Sequence, residues 1–482
     1  MNRSAHHHFN PWHALVVVCL GQFMVVLDAT IVNVALPSIQ TDLRISDDSL
    51  QWIVNAYTLL FGGFLLLGGR AADLIGRRTL FMAGIAVFTF ASFLNGLATS
   101  ETMLIGGRAL QGLGGALLSP AALAVITTSF DEGPARTKAL SVWAAIASGG
   151  SAAGLLLGGV LVDALSWEWI FFVNVPVGIA IVLAATRLVP NSRVHAARRH
   201  FDLGGAISVT GGLVVLVYAI VKAQAWGWGS ASTLGLGGVA LVLLGAFIAI
   251  ERRSPAPLVR LELFRMRSLA TANGVFVIVV GGLFGMFFFA SLYLQNILGY
   301  SPLTTGFAFL PVTAGIMIGA GLAQQLISRI GVRPVVLSGL TVAAAGLAVL
   351  AATTQVDGSY LGVLGGLLPM SIGMGATFVP MTLVATTNVD ADDAGLASGI
   401  FNTSQQVGGA LGLAVLSTIA ASRTADLLGT GAGRPAALVE GFQLAFAVAA
   451  ALLAAGAVLT ALLLRRRDVQ RIESGEAAVV PA

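Results

Sequence analysis

Long apolar stretches separated by short polar ones run along nearly the whole chain. Each is about 20 residues long, the length that a helix needs to cross the hydrocarbon core of a bilayer. A membrane barrel would instead alternate polar and apolar positions over segments of about ten residues. We therefore predict an all-α integral membrane protein with fourteen transmembrane helices, at 14–37, 51–69, 79–98, 103–126, 138–162, 170–188, 203–222, 232–250, 269–294, 304–327, 334–353, 359–384, 396–420 and 441–464.

Composition supports this interpretation. Charged residues make up 10% of the chain and hydrophobic residues 56%, whereas about 25% of the residues in an ordinary soluble domain are charged. The spans leave no room for a separate soluble domain. The single cysteine, Cys19, excludes an intramolecular disulfide and a cysteine-based metal site, and we predict no metal site.

The basic residues predict how the chain is oriented. All but five of the 26 lysines and arginines fall at the chain ends or in the loops that follow even-numbered spans. By the positive-inside rule these regions are cytoplasmic, so both termini are expected in the cytoplasm of a multi-pass protein of the cell (inner) membrane. Because the basic residues are spread over many loops and do not form one face, a nucleic-acid partner is excluded. The five exceptions are Arg44, Lys222, Arg423, Arg434 and, inside the predicted fourth span, Arg108.

Two pairs of segments indicate an internal duplication. GGRAADLIGRRTLF (68–81) aligns with QLISRIGVRPVVL (325–337), and residues 131–150 are similar to residues 392–409. The duplication predicts a 6+2+6 arrangement of spans: an N-terminal six-helix bundle (1–190), a two-helix insertion with cytoplasmic connectors (191–266), and a C-terminal six-helix bundle with a cytoplasmic tail (267–482). Repeated halves are typical of transporters that alternate access about a central site.

Seven segments carry recognisable motifs: LDATIVNVALP (27–37), GRAADLIGRR (69–78), RALQGLGGALLSP (108–120), GGSAAGLLLGG (149–159), SWEWIFFVNVPVG (166–178), FDLGG (201–205) and GYSPLTTGFAFLPVTAG (299–315). Together they resemble the major facilitator superfamily and, more narrowly, its fourteen-span drug:proton antiporters. The resemblance covers nearly the whole chain. It implies the major facilitator fold and drug efflux driven by the proton gradient, without a cofactor.

Two charges lie deep inside predicted spans, away from their ends: Asp28 in the first and Arg108 in the fourth. An unpaired charge in hydrocarbon is costly, so each residue needs a partner. The resemblance implies that both spans face a central cavity. We interpret Asp28 as the proton-coupling carboxylate, with Arg108 acting on it directly or through Gln111 and water. The alternative is a static buried ion pair, which is expensive to maintain.

The loop at 69–78 is expected to act as a conformational latch, as the resemblance implies. Gly69 and Gly76 permit a tight turn, while Asp73, Arg77 and Arg78 can pair with helix ends and with one another, and such pairs would break when the inside opens. The alternative is that the arginines only set topology. Ser328 replaces the acid in the second copy, which is therefore expected to lack the full latch.

The predicted fifth span carries Gly150, Gly154, Gly158 and Gly159. Three of them recur at every fourth position, which clears one helix face for close packing. In the family that the chain resembles, this stretch marks exporters, although Leu155 stands here where a proline is usual. The alternative, plain close packing, also applies in part.

A drug cavity is apolar with a few polar groups. Candidate substrate-binding residues are Asn33, Tyr57, Phe284, Phe288, Tyr293, Met370, Met374 and Gln405. Contact with lipid or core packing is the alternative for each aromatic residue.

The predicted function is proton-coupled antiport, by a monomer, of amphipathic or cationic drugs out of the cell. The glycine-rich loops lack the G-x-x-x-x-G-K-[ST] pattern of a nucleotide-binding loop, so ion gradients must supply the energy. The nearest alternative is a narrow exporter of one antibiotic or metabolite. A membrane sensor or an intramembrane enzyme is disfavoured, because the chain has no appended soluble domain, and no paired acids or histidine cluster lie within the spans.

Overall fold

The computed structural model describes residues 10–47, 49–130, 133–190, 202–255, 257–386, 389, 393–465 and 469. Every regular element in these ranges is a helix, and none of them contains a strand. The all-α prediction is therefore confirmed for this part of the chain. The side chain of Asp73 lies outside the described residues.

Sixteen α-helices follow one another along the described chain, and a short 3₁₀ helix, Leu261–Arg265, precedes α10. The α-helices are α1 Pro11–Leu43, α2 Trp52–Ile75, α3 Arg77–Gly96, α4 Glu101–Ser129, α5 Pro134–Ala164, α6 Trp169–Phe172, α7 Asn174–Leu188, α8 Leu203–Trp226, α9 Ala231–Arg253, α10 Arg267–Asn296, α11 Pro302–Ala308, α12 Leu310–Ile330, α13 Val332–Thr353, α14 Tyr360–Thr386, α15 Ala394–Gly429 and α16 Arg434–Leu463.

Thirteen helical segments of the described chain are long and apolar enough to cross a membrane, with α6 and α7 forming one of them and α11 and α12 another. The remaining predicted span, 138–162, lies within α5 (Pro134–Ala164), where Gly149–Ala164 is an apolar helical stretch of the described residues. The count of fourteen thus stays a prediction, and the structure is consistent with it.

The helix ends follow from local sequence. Side chains of Asn10, Ser100, Ser230 and Ser301 accept hydrogen bonds from backbone N–H groups in the first turns of α1, α4, α9 and α11, which satisfies donors that a helix start leaves open.

The corresponding loops of the two halves share one turn. Gly76 links α2 to α3 with φ +116°, and Gly331 links α12 to α13 with φ +84°. Only glycine adopts such angles without strain. The two aligned segments thus share a backbone conformation as well as a sequence pattern.

The inserted pair, α8 and α9, packs onto the rest through α8, which lies against both α2 and α15. Leu59 of α2, Val217 of α8 and Ala410 of α15 belong to one buried cluster. By contrast, α9 exposes long apolar side chains such as Leu241 and Val242, as expected for a helix that faces lipid. The domain boundaries at 190 and 266 remain predictions.

The two halves meet through backbone and polar contacts. We call the side at which α1 begins and α16 ends the terminal side, and the opposite one the far side. Towards the far side, Ser291 Oγ of α10 donates to Asn33 O of α1 at 2.6 Å, and Gln295 Nε2 donates to Val34 O at 2.8 Å. Nearby, the N–H of Leu303, in α11, donates to Asp163 Oδ2 at the end of α5.

The glycines of α5 face two different neighbours. A Cβ on Gly154 or Gly158 would collide with α1, and one on Gly150 would lie tightly against Phe23 and Val26 of that helix at 3.3 Å. A Cβ on Gly159 would instead collide with the backbone of α11 at Leu303. The first three glycines therefore let α5 pack closely against a helix of its own half, and Gly159 permits close approach of the other half. The structure accounts for all four by packing alone, and their role in antiport stays a prediction.

Gly154→Ala and Gly149→Ala form a matched pair on the same helix. A Cβ on Gly154 would lie 2.7 Å from Leu27 O, whereas one on Gly149 meets nothing within 4 Å. We expect Gly154→Ala to lower the free energy of unfolding by about 1–3 kcal/mol, because the added methyl group overpacks the contact. Gly149→Ala should be neutral or slightly stabilising, because alanine favours helix. Thermal unfolding of the purified proteins in detergent, followed by tryptophan fluorescence, checks this; equal melting temperatures would refute the packing role of Gly154.

Candidate functional site

Asp28 and Arg108 form an ion pair in the interior of the first half. Arg108 Nη1, on α4, lies 2.5 Å from Asp28 Oδ2, on α1, and both side chains are almost completely buried. A charge in such an environment is tolerated only with a close partner. The structure therefore brings together the two intramembrane charges that the sequence singles out.

Gln111 completes a triangle with this pair. Its Nε2 donates to Asp28 Oδ1 at 2.6 Å, and its Oε1 accepts from Arg108 Nη1 at 2.7 Å. Arg108 thus reaches Asp28 directly, and Gln111 also contacts both of them. Because Gln111 stands one helical turn after Arg108 on α4, the spacing places both on one face of that helix.

Three further residues join the network, and the sequence reasoning missed them. Asn174 Nδ2, in the first turn of α7, donates to Asp28 Oδ1 at 3.0 Å. From α3, Ser92 Oγ accepts from Gln111 Nε2 at 2.8 Å and Asn95 Nδ2 donates to Gln111 Oε1 at 2.9 Å. Each is an uncharged polar residue within an apolar span, which is a weaker signal than the charge that identified Asp28.

Arg108 has partners that do not depend on the carboxylate. Its Nε donates to Ile53 O at 3.0 Å, and its guanidinium carbon lies 4.4 Å from the ring centroid of Tyr57. A cation over an aromatic face is attracted by the ring quadrupole.

These partners bear on the predicted proton exchange at Asp28. Should Asp28 take up a proton, the guanidinium would keep Gln111 Oε1, a backbone carbonyl and an aromatic face. All three are uncharged, so they would satisfy hydrogen bonds of the arginine without replacing the negative charge of the carboxylate.

The loop at 69–78 packs within the first half. Arg78 Nη1 donates to the carbonyl oxygens of Thr186 at 3.3 Å and Val189 at 3.5 Å, at the end of α7. Gly69 lies on α2 beside Pro120 of α4, Gly76 forms the turn described above, and Arg77 begins α3. The described bonds of Arg78 are those of a helix C-terminal cap, and the latch role remains a prediction.

Comparison with known proteins adds the family. Residues 18–413 match the Major Facilitator Superfamily. The chain is 43% identical to the puromycin resistance protein pur8 of Streptomyces alboniger over 98% of this chain and 95% of that protein. It is 40% identical to the cephamycin export protein CmcT of Amycolatopsis lactamdurans over 93% and 92%, and 38% identical to the multidrug resistance protein Stp of Mycobacterium tuberculosis over 85% and 75%.

The chain belongs to the major facilitator superfamily. This confirms the resemblance found in the sequence, and the protein is a multi-pass membrane protein of a transporter family. Its fold is similar to that of the POT family transporter PepTSo, with a TM-score of 0.68 at 16% identity over 94% of this chain and 99% of that one.

The role of the eight candidate substrate-binding residues of this superfamily member stays a prediction, and the structure gives each of them a local setting. Tyr57 lies under Arg108, and the backbone of Asn33 joins the contact between the halves. Tyr293 donates from its hydroxyl to Gln355 O within the second half. The others are Phe284, which lies against Gly409 of α15, the partly buried Gln405, and the buried Phe288, Met370 and Met374.

Replacement of Arg108 tests the energetics of the buried pair. Arg108→Gln leaves an uncompensated carboxylate at Asp28, and breaking a buried pair in this way costs about 3–5 kcal/mol. The matched control is Arg423→Gln, which breaks the exposed pair with Glu440 and should cost about 1 kcal/mol or less. Thermal unfolding in detergent should therefore rank Arg108→Gln well below Arg423→Gln, and similar melting temperatures would contradict the assignment.

Proposed function

We propose that this protein is a proton-coupled antiporter that exports amphipathic drugs, among them antibiotics, by alternating access. The observation that carries the proposal is the Asp28 carboxyl group, buried and held by Arg108, Gln111 and Asn174. The names of the related proteins, which refer to antibiotic resistance or export, support the substrate class. We further propose cytoplasmic termini, from the distribution of basic residues, and a monomer without enzymatic activity or a cofactor.

The proposed cycle uses the contacts between the halves as an outer gate. With cytoplasmic termini, the far side is the outer one, and the bonds from Ser291 to Asn33 O and from Gln295 to Val34 O hold it closed. Opening it requires these bonds to break, which exposes Asp28 to protons from outside. Proton binding loosens Asp28 from Arg108, and return of the proton to the inside restores the pair. In the same cycle the charged residues of the loop at 69–78 act as the inner latch.

The energy suffices for efflux against a gradient. A membrane potential supplies about 2.3 kcal/mol per charge for each 100 mV, and each pH unit adds about 1.4 kcal/mol per proton, enough for a tenfold concentration ratio.

Asp28→Asn tests the coupling. In vesicles that contain the purified protein, an imposed pH gradient should drive efflux of a transported compound by the wild type, and Asp28→Asn should abolish this response because asparagine cannot bind a proton. Asp42→Asn is the matched control: Asp42 stands on the same helix, is exposed, and accepts a hydrogen bond from Trp167 Nε1. If Asp28→Asn and wild type respond equally to the gradient, coupling lies elsewhere and Asp28 is structural.

The range of compounds that the protein transports distinguishes a multidrug exporter from an exporter of a single antibiotic or metabolite. The relatives include proteins named for one antibiotic and one named for multidrug resistance, so both readings have support. We expect the vesicles to export both ethidium and puromycin, because an apolar cavity with few polar groups discriminates weakly. Transport of puromycin without ethidium would favour the narrow exporter.

A further inference from the structure

The segment FDLGG, which the proposed mechanism does not use, places a buried carboxylate at the start of α8. Asp202 is the N-cap of that helix, and its Oδ1 accepts a hydrogen bond from Gly205 N at 2.7 Å. The residue is 7% exposed, and its Oδ2 has no hydrogen-bond partner in the described chain. An N-cap uses one side-chain oxygen, so capping accounts for Oδ1 of this carboxylate and leaves the burial of Oδ2 unexplained.

A second carboxylate enters the same region from α9. Glu251 lies in the last turn of that helix and is 4% exposed. Its Oε2 accepts from Val259 N at 3.0 Å, whereas Oε1 also has no partner among the described residues. Buried carboxylate oxygens without partners are costly and call for an explanation.

The two carboxylates converge over one glycine. A Cβ on Gly205 would lie 2.8 Å from Glu251 Oε1 and 2.9 Å from Asp202 Oδ1. The absent side chain is therefore what lets the two acids approach each other. The neighbouring side chains of Leu67, Ala206 and Leu258 are apolar and offer the two acids no hydrogen bond; only the backbone N–H of Leu258 joins that of Val259 at Glu251.

No described basic side chain forms an ion pair with either acid. Arg252 and Arg253, which follow Glu251, are exposed, as is Arg70 on α2. Arg260, in the connector beyond Val259, pairs with Asp393 at 2.6 Å. Two ionised carboxylates in such a place would repel each other without a compensating charge, and a single proton between them removes the conflict.

We propose that Asp202 and Glu251 form a second proton-binding site, in which the two carboxyl groups share one proton. The proton is covalently held by Glu251 Oε1 and donated to Asp202, and it leaves to water when the site ionises. The site is connected to both halves: Leu67 of α2 borders it, and the connector that Glu251 binds at Val259 reaches Asp393, just before α15, through Arg260. The site therefore lies beside residues of both halves.

Infrared spectroscopy of the purified protein in an ester-free detergent tests the proposal without any transport assay. The parent is Asp28→Asn, so that Asp28 contributes no signal. At neutral pH exposed carboxyl groups are ionised, and we expect a C=O stretching band of a protonated carboxyl group that shifts on deuteration and vanishes on alkaline titration. Adding Glu251→Gln should remove the band, whereas adding Asp202→Asn should shift it, because an amide replaces the carboxylate as acceptor.

Glu262→Gln is the matched control, since Glu262 is an exposed glutamate of the same connector, and it should leave the band unchanged. Elution as a single species in size-exclusion chromatography establishes that each variant is folded, and the two substitutions at the site give independent readouts should one variant misfold. The proposal is overturned if the Asp28→Asn parent shows no such band, or if the band is the same in both the Glu251→Gln and Asp202→Asn variants.

Discussion

Inside a membrane domain no bulk water is available, so each buried polar group depends on a partner supplied by the protein. The cluster around Asp28 shows how far this requirement shapes the fold. Its groups come from α1, α2, α3, α4 and α7, and it can form only when those five helices are packed together. The pairing of one charge thereby specifies much of the first bundle.

Much of this could be predicted from the sequence. Apolar runs indicate transmembrane helices because a span must be long and apolar. Asp28 and Arg108 could be predicted as partners because a charged side chain inside a span is energetically costly without an opposite charge nearby. Asn174 and Ser92 escaped notice because amides and hydroxyls are tolerated in spans with local backbone partners, so their residue type carries little information. Substrate-binding residues are harder to predict, since aromatic and methionine side chains occur in packed cores and in ligand cavities alike, and those named here stay a prediction.

The two halves share a scaffold but differ in chemistry. Arg333 donates to Ala461 O at the end of α16 just as Arg78 donates to carbonyls at the end of α7, and each follows a glycine turn at the aligned position. The charged cluster, by contrast, belongs to the first half, and in the second half Ser328 replaces the acid of the loop. Duplication supplies the framework, and divergence has assigned the charges to one copy.

The inserted helix α8 makes the two contacts between the halves unequal. Two seams run between the halves, one formed by α2 and α15 and the other by α5 and α11. The inserted helix covers the first seam by packing on both of its walls, with Val217 buried between them. A compound dissolved in the lipid leaflet therefore meets a different wall on each flank: the inserted helix α8 at the first seam, and the close contact of Gly159 with the backbone of α11 at the second.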